Sequence, residues 1–253
     1  MSEAVNSKSV DPKEISNFAA MADEWWDETG KFKPLHKFNP IRIGYIRDQV
    51  THHFDINLEN GPALLKPFKG LRFLDIGCGG GLLSEPMARL GAEIVAADAS
   101  QTNINVASLH AKNSGLDIDY RHCTAEQLAE AGEKFDVILN MEVIEHVADL
   151  DAFTNACCQM LKPGGIMFVA TLNRTFKSYA LAIVGAEYVL RWLPRGTHNW
   201  KKFLRPSEVV KLVRSNGLLV ENMSGATYNP IADTWRLSND LSVNYMIMAH
   251  NPK

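Results

Sequence analysis

Leu74-Asp-Ile-Gly-Cys-Gly-Gly-Gly81 decides how this chain is read. An apolar run over residues 71 to 76 carries an acidic side chain, Asp75, one residue before its end, and glycines at 77, 79, 80 and 81 follow at once. Such a turn lets main chain approach a ligand closely at the carboxyl edge of a parallel sheet. Downstream, apolar runs recur at 94 to 98, 117 to 122, 135 to 140, 165 to 171, 217 to 223 and 243 to 249, separated mostly by helical segments. Seven strands with intervening helices predict an α/β, doubly wound, Rossmann-like mixed sheet. Lys162-Pro-Gly-Gly165 reads as a type II turn feeding the fifth strand. Gly225 to Asn239 is rich in turn formers, so the last two strands are expected to join without a helix, which makes the final strand antiparallel.

The loop also says what kind of ligand it takes. A dinucleotide fingerprint has the spacing Gly-x-Gly-x-x-Gly, but counting from Gly77 puts Leu82 at the last position. Asp75 would repel a pyrophosphate and suits a cationic amino-acid moiety. Asp98 ends the second apolar run, where a carboxylate can accept both hydroxyls of a ribose. An adenosine carrying an amino-acid tail is S-adenosylmethionine, with Asp75, Gly77, Gly79 and Asp98 as its candidate contacts. The bland alternative is a tight turn followed by a helix-capping Asp98. It is outweighed because strand, loop, helix and acid occur in register.

Composition bounds the rest. The 253 residues, 46% hydrophobic and 22% charged, suffice for one large domain with a buried core. We expect a single domain over 1–253, with residues 1–60 as a helical cap and 61–253 as the catalytic core. A net charge of −3 and a pI near 6.2 give no global reason to bind nucleic acid. The four cysteines, Cys78, Cys123, Cys157 and Cys158, include two helix neighbours that cannot easily bridge each other, so a reducing cytoplasm fits. The N-terminus shows neither an apolar signal core nor an Arg-rich, acid-poor transit composition. A first helix is expected from Asp11-Pro12, with an apolar face of Ile15, Phe18, Ala19, Ala22 and Trp26. The stretch from Gly30 to Pro40 should break it, and a second helix should run from Ile41 to Phe54.

Several segments beyond the loop carry a resemblance. Phe18-Ala-Ala-Met-Ala-Asp-Glu-Trp-Trp-Asp27, Leu35-His-Lys-Phe-Asn-Pro-Ile-Arg-Ile-Gly-Tyr45, Met141-Glu-Val-Ile-Glu-His-Val147 and Thr197-His-Asn-Trp-Lys-Lys-Phe203 lie along nearly the whole chain. With the loop they resemble class I methyltransferases, and more specifically the O-methyltransferases of ubiquinone biosynthesis. The resemblance implies methyl transfer to a phenolic hydroxyl on a polyprenylated ring. Arg42, Gly77, Asp98 and Met141 match that family's cofactor contacts, and Arg42 has the forked guanidinium that suits a carboxylate. Met141 could pack on adenine or simply on the core. Ala125 and Glu126 sit where such folds flank the adenine. Association with other quinone-biosynthesis enzymes at the inner membrane surface is implied as well.

Methylating a phenol asks for loss of a proton whose reference pKa is about 10, so a base or a phenolate-stabilising ion should help. Glu142, Glu145 and His146 fall at i, i+3 and i+4, one face if the segment is helical. Two carboxylates and an imidazole suit Mg²⁺ with waters completing its shell, and the resemblance favours this reading. Such Glu-His pairs also serve merely to order the loop. Without an ion, His146 is the best general base, followed by His198.

Residues 172 to 205 separate the fifth strand from the helix announced by Pro206-Ser-Glu208, where connections of about two to six residues are usual. An insert over 174–205 holds seven Lys or Arg against one acid, Glu187. Inside it, Tyr179 to Leu193 is mostly apolar yet too short for a bilayer core of roughly 30 Å. An interfacial helix and lid facing anionic lipid is the functional reading, with Tyr179, Tyr188 and Trp192 at the headgroups. A helix buried against the fold with a solvated basic rim is the alternative. Two rival functions stay open at this point: methylation of another small phenol or carboxylate, and a catalytically silent cofactor-binding or membrane-binding subunit.

Overall fold

Apolar residues pointing to both sides of the central strands build a sheet with two buried faces. The computed structural model describes residues 7–58, 64–180 and 200–252. Its strands are β1 (Arg72–Ile76), β2 (Glu93–Asp98), β3 (Asp119–His122), β4 (Phe135–Met141), β5 (Leu161–Leu172), β6 (Leu219–Asn229), β7 (Thr234–Ser238) and β8 (Asn244–His250). They form one sheet in the order β3-β2-β1-β4-β5-β8-β6-β7. The first five run parallel, while β8 pairs antiparallel with both β5 and β6. The expected antiparallel final strand is therefore present. An eighth strand, β7, replaces the irregular link expected between Gly225 and Asn239, because that stretch folds back on β6 as a hairpin.

Leu74, Ile138 and Val169 face one layer, packed with residues of α5 (Ala125–Glu130), α6 (Leu150–Met160) and α8 (Pro206–Ser215). Their neighbours Phe73, Val137 and Phe168 face the other, against α2 (Lys33–His53), α3 (Ser84–Arg89) and α4 (Gln101–Asn113). Each such side chain taken fully from water contributes roughly 1.5–3 kcal/mol before entropy is counted. The Pro-Gly-Gly turn bulges from the start of β5: partners shift between Leu161 and Ile166, and Gly164 takes φ 72 at the third turn position. All four cysteines are free thiols.

The N-terminal cap departs from expectation in two ways. Helix α1 (Pro12–Ala19) starts where expected, with the Asp11 carboxylate accepting from the Lys13 amide at 3.0 Å, but it ends at Ala19. Ala22 and Trp26 therefore lie beyond it, in a short 3-10 turn (Ala22–Glu24) and the loop that follows. Helix α2 begins at Lys33 and carries Pro40 inside it. A proline there removes one backbone bond, and tertiary ties on the same turn, such as Asn39 Nδ2 to Leu82 O at 2.6 Å, hold the helix in place. Between α2 and β1, and in the insert, residues 59–63 and 181–199 fall outside the described residues. The expected interfacial helix of Tyr179 to Leu193 and the candidate base His198 thus lie almost wholly outside them. After β5 comes a single turn, α7 (Phe176–Ser178).

Candidate active site

Strand order reverses beside β1, whose neighbours are β2 on one side and β4 on the other, and this switch point opens a crevice at the carboxyl ends of the strands. The glycine loop crosses it. Gly77 and Cys78 amides both donate to Ala97 O, at 2.7 and 3.0 Å, tying the loop to β2. Gly77 has φ 70 and Gly79 φ 54, conformations that side chains disfavour. A Cβ on Gly77 would also meet Val143 Cγ2 at 2.5 Å.

Two carboxylates flank this loop. Asp75 is buried and accepts from Ser84 Oγ at 2.6 Å. Burial pushes its carboxyl up to about 6, with the Ser84 hydroxyl and the Arg42 guanidinium acting in the opposite direction. Asp98 accepts from the Gly79 amide at 2.9 Å through Oδ2 and from the Ser100 amide at 2.8 Å through Oδ1. It braces the loop and the start of α4 together; Oδ1 also accepts from Asn103 Nδ2 at 3.2 Å, so the open lone pair for a ligand hydroxyl is on Oδ2. Burial also moves Asp98 above the usual carboxylate range, against the pull of those donors.

Arg42 comes from α2 and is no surface charge, being 3% exposed. Its Nη2 donates to Asn39 Oδ1 at 2.7 Å, its Nε is buried without a partner, and Glu142 and Asp75 supply the nearby negative charge. A buried fork with an unused donor is what a carboxylate ligand would need.

At the end of β4, Met141 is buried in the cavity wall and Glu142 adopts φ 60, a left-handed conformation that costs a non-glycine residue about 1–3 kcal/mol. The segment then makes a 3-10 turn over Ile144–His146. The expected α-helical face is therefore absent, because the chain reverses at Glu142 before the turn begins. The reversal nonetheless brings Glu142, Glu145 and His146 to one cavity. Burial first, and Glu145 next, push the Glu142 carboxyl up to about 8. One Glu145 oxygen is buried without a partner. As the side chains stand, no group of three or more His, Cys, Asp and Glu among the described residues is arranged as a metal-holding set.

Glu14, from α1, explains part of that. Its Oε2 lies 3.1 Å from His146 Nδ1, and its Oε1 accepts from Lys202 at 2.8 Å. The His146 contact, aided by Lys202 and opposed by burial, pulls Glu14 down to about 2. Burial disfavours the charged His146 ring, but Glu14 and the two neighbouring glutamates carry its pKa above the ordinary value. Phe18 meets the same ring edge-on at 5.1 Å.

A cavity of about 270 Å³ is lined by nine of the residues singled out in the sequence: Arg42, Asp75, Gly77, Gly79, Asp98, Met141, Glu142, Glu145 and His146. Ala125 lines it too, whereas Glu126 does not. Glu14, Trp25 and Asn103 were not foreseen. Glu14 stands one residue before Ile15 on a helix whose apolar spacing was visible, but nothing local marks its partner 132 positions away.

Comparison with known proteins supplies the remaining observation. A family model described as a methyltransferase domain matches residues 74–169. The ubiquinone biosynthesis O-methyltransferase of Chelativorans sp. is 60% identical over 243 residues, covering 96% of this chain and 94% of that protein. The protein of the same name from Sinorhizobium fredii is 57% identical over 252 residues, covering 100% of both. Among solved structures, magnesium protoporphyrin IX methyltransferase from Synechocystis with bound SAH matches with a TM-score of 0.65 at 17% identity, over 93% of this chain and 94% of that one. The N-methyltransferase NodS from Bradyrhizobium japonicum, in complex with S-adenosyl-L-homocysteine, matches with a TM-score of 0.57 at 16% identity, over 95% and 99%. At such identities the structural likeness speaks for the fold.

Proposed function

The chain belongs to the ubiquinone biosynthesis O-methyltransferase family and is an S-adenosylmethionine-dependent O-methyltransferase, and we propose that it methylates a phenolic hydroxyl on a polyprenylated ring held in the 270 Å³ cavity. One observation carries this reading. The same cavity is lined by the polar glycine-loop residues and by an apolar group from the cap, including Ile15, Phe18, Met21, Phe32 and Leu35. Charged cofactor and greasy acceptor would each find matching walls in a single enclosure.

Asp75 would face the cofactor's ammonium group, Arg42 its carboxylate and Asp98 its ribose, with Met141 packing on the adenine. His146 would take the phenolic proton on Nε2, the ring nitrogen that Glu14 does not occupy, and Glu14 raises the basicity of that imidazole. When bound, S-adenosylmethionine would supply a sulfonium methyl group for the phenolate oxygen to take, the electron pair of the broken carbon–sulfur bond staying on sulfur as a neutral thioether. In-line placement supplies most of the acceleration, since sulfonium is already a good leaving group.

Mg²⁺ fits the chemistry of the Glu142 and Glu145 pair. Both are oxygen donors, one Glu145 oxygen lacks a partner, and burial with the Glu145 charge drives Glu142 toward neutrality against the pull of Arg42 and His146. The expected third ligand, His146, has Nδ1 against Glu14 and Nε2 reserved for the phenolic proton, so Glu142 and Glu145 with waters would hold the ion, which would supply positive charge that stabilises phenolate.

Contact with anionic lipid at the membrane surface is proposed for the flanks of the insert. Phe176 is 82% exposed and stacks with Tyr179, which also meets Trp200 edge-on. No helix among the described residues is long and apolar enough to cross a membrane.

The test is transfer of labelled methyl from S-adenosylmethionine to a panel of catechols, with Mg²⁺ and lipid present. The reading expects transfer to prenylated members. Transfer confined to soluble catechols would point to a different phenol, and no transfer despite tight cofactor binding would sink the acceptor assignment.

A further inference from the structure

Trp25 reaches the cofactor side of the cavity from a direction the reaction does not require. It belongs to the N-terminal cap, is 7% exposed, and stacks on Phe32 at 3.8 Å with the rings 13° from parallel. Its indole Nε1 donates to Asn103 Oδ1 at 3.1 Å, across 78 positions of sequence. Asn103 is 2% exposed on the first turn of α4, and its Nδ2 donates to Asp98 Oδ1 at 3.2 Å.

The chemistry of these three groups fixes their order. An indole N–H only donates, and an ionised carboxylate only accepts. An asparagine amide between them has a single orientation that satisfies both: oxygen toward Trp25 and nitrogen toward Asp98. Without the indole N–H, Asn103 Oδ1 is left a buried acceptor without that donor, one of the two bonds that orient the amide is lost, and the Asp98 contact alone opposes its rotation. The flipped form would set a carbonyl oxygen against the Asp98 carboxylate. Asp98 would keep the Gly79 and Ser100 amides but lose its one side-chain donor.

We propose that Trp25 is a positioning residue that acts through Asn103 to aim Asp98 at the cofactor ribose, so that docking of the N-terminal cap and binding of S-adenosylmethionine are coupled. The inference rests on the assignment of Asp98 as the ribose acceptor. Coupling runs both ways, so bound cofactor also holds the cap down. The same indole covers the loop itself: a Cβ on Gly79 would lie 2.5 Å from Trp25 Cζ2, and one on Gly80 2.3 Å from its Cγ.

Isothermal titration of the full chain with S-adenosylhomocysteine, run as a double-mutant cycle, tests the coupling. Trp25→Phe keeps an aromatic ring over Phe32 and deletes the donor. It is expected to weaken binding about tenfold, the order expected when a buried acceptor loses its partner. At saturating cofactor its kcat should stay near the parent value. In an Asp98→Asn background the same change should have little further effect, and Asn103→Ala should likewise erase it, with thermal unfolding confirming that each variant folds. Equal weakening by Trp25→Phe in both backgrounds would mean general packing and overturn the inference. So would unchanged affinity in Trp25→Phe while Asp98→Asn is weakened. Parent-like affinity in Asp98→Asn would instead overturn the ribose assignment on which the inference stands.

Discussion

Asp75 sets a pH dependence that a cofactor titration can read. Its carboxyl holds a proton up to about pH 6 in the folded chain, whereas the unfolded reference is 3.8. A folded-state pKa raised in this way contributes stability that is fully present below the unfolded value and is lost as pH rises through about 6. Cofactor binding has the opposite sign, because a cationic ammonium group needs the carboxylate form. Affinity for S-adenosylhomocysteine is therefore expected to fall by up to tenfold per unit as pH drops below about 6, and Asp75→Asn should flatten the curve. A flat profile in the parent protein would remove Asp75 from the ammonium site. At Glu142 the expectation concerns chemistry. Chelation of divalent ions, or Glu142→Ala, should lower turnover while cofactor affinity persists, and unchanged rates would refute the metal reading. Both carboxylates could be named from sequence, since each follows an apolar run at a sheet edge. Their environments could not, because burial of Glu142 depends on a φ of 60 that no local pattern announces.

The cap and the glycine loop behave as one element. Trp26 Nε1 donates to Gly80 O at 2.9 Å and Asn39 Nδ2 to Leu82 O at 2.6 Å, so main chain of the loop is held by side chains some forty or more positions upstream. Gly80→Ala would place a methyl group against the Trp25 ring. Overpacking of that kind costs about 1–3 kcal/mol. Hydrogen exchange is expected to quicken over residues 12 to 32, and unaltered protection there would show that the cap does not rest on the loop. The start of α1 was legible because Asp11 and Pro12 are a capping residue and a first-turn proline. Pro40 misled in the other direction, since tertiary packing keeps α2 helical through it. Strand β7 escaped notice because its residues are mostly exposed and flanked by turn formers, so no apolar period marks it.

Across the whole molecule, the sheet was legible because its central strands are apolar on both faces, and a run such as Phe135 to Met141 has no other stable place. Charge was less so. The basic insert looked like a free positive patch, yet Arg174 pairs with Glu208, Lys177 with Asp240, and Lys202 with Asp11 and Glu14. These partners come from distant parts of the chain, so composition alone overstates the patch. Sedimentation with anionic vesicles is expected to weaken as salt rises, and equal recovery with neutral vesicles would remove the electrostatic contribution. The central claim is a division of labour within one cavity, with Asp75, Asp98 and Arg42 holding cofactor and His146 moving the phenolic proton. Its most direct test is the single-turnover rate of methyl transfer to a prenylated catechol in His146→Ala, with cofactor affinity measured on the same protein. The account expects the rate to fall about 10²–10⁴-fold at unchanged affinity; a parent-like rate would contradict it.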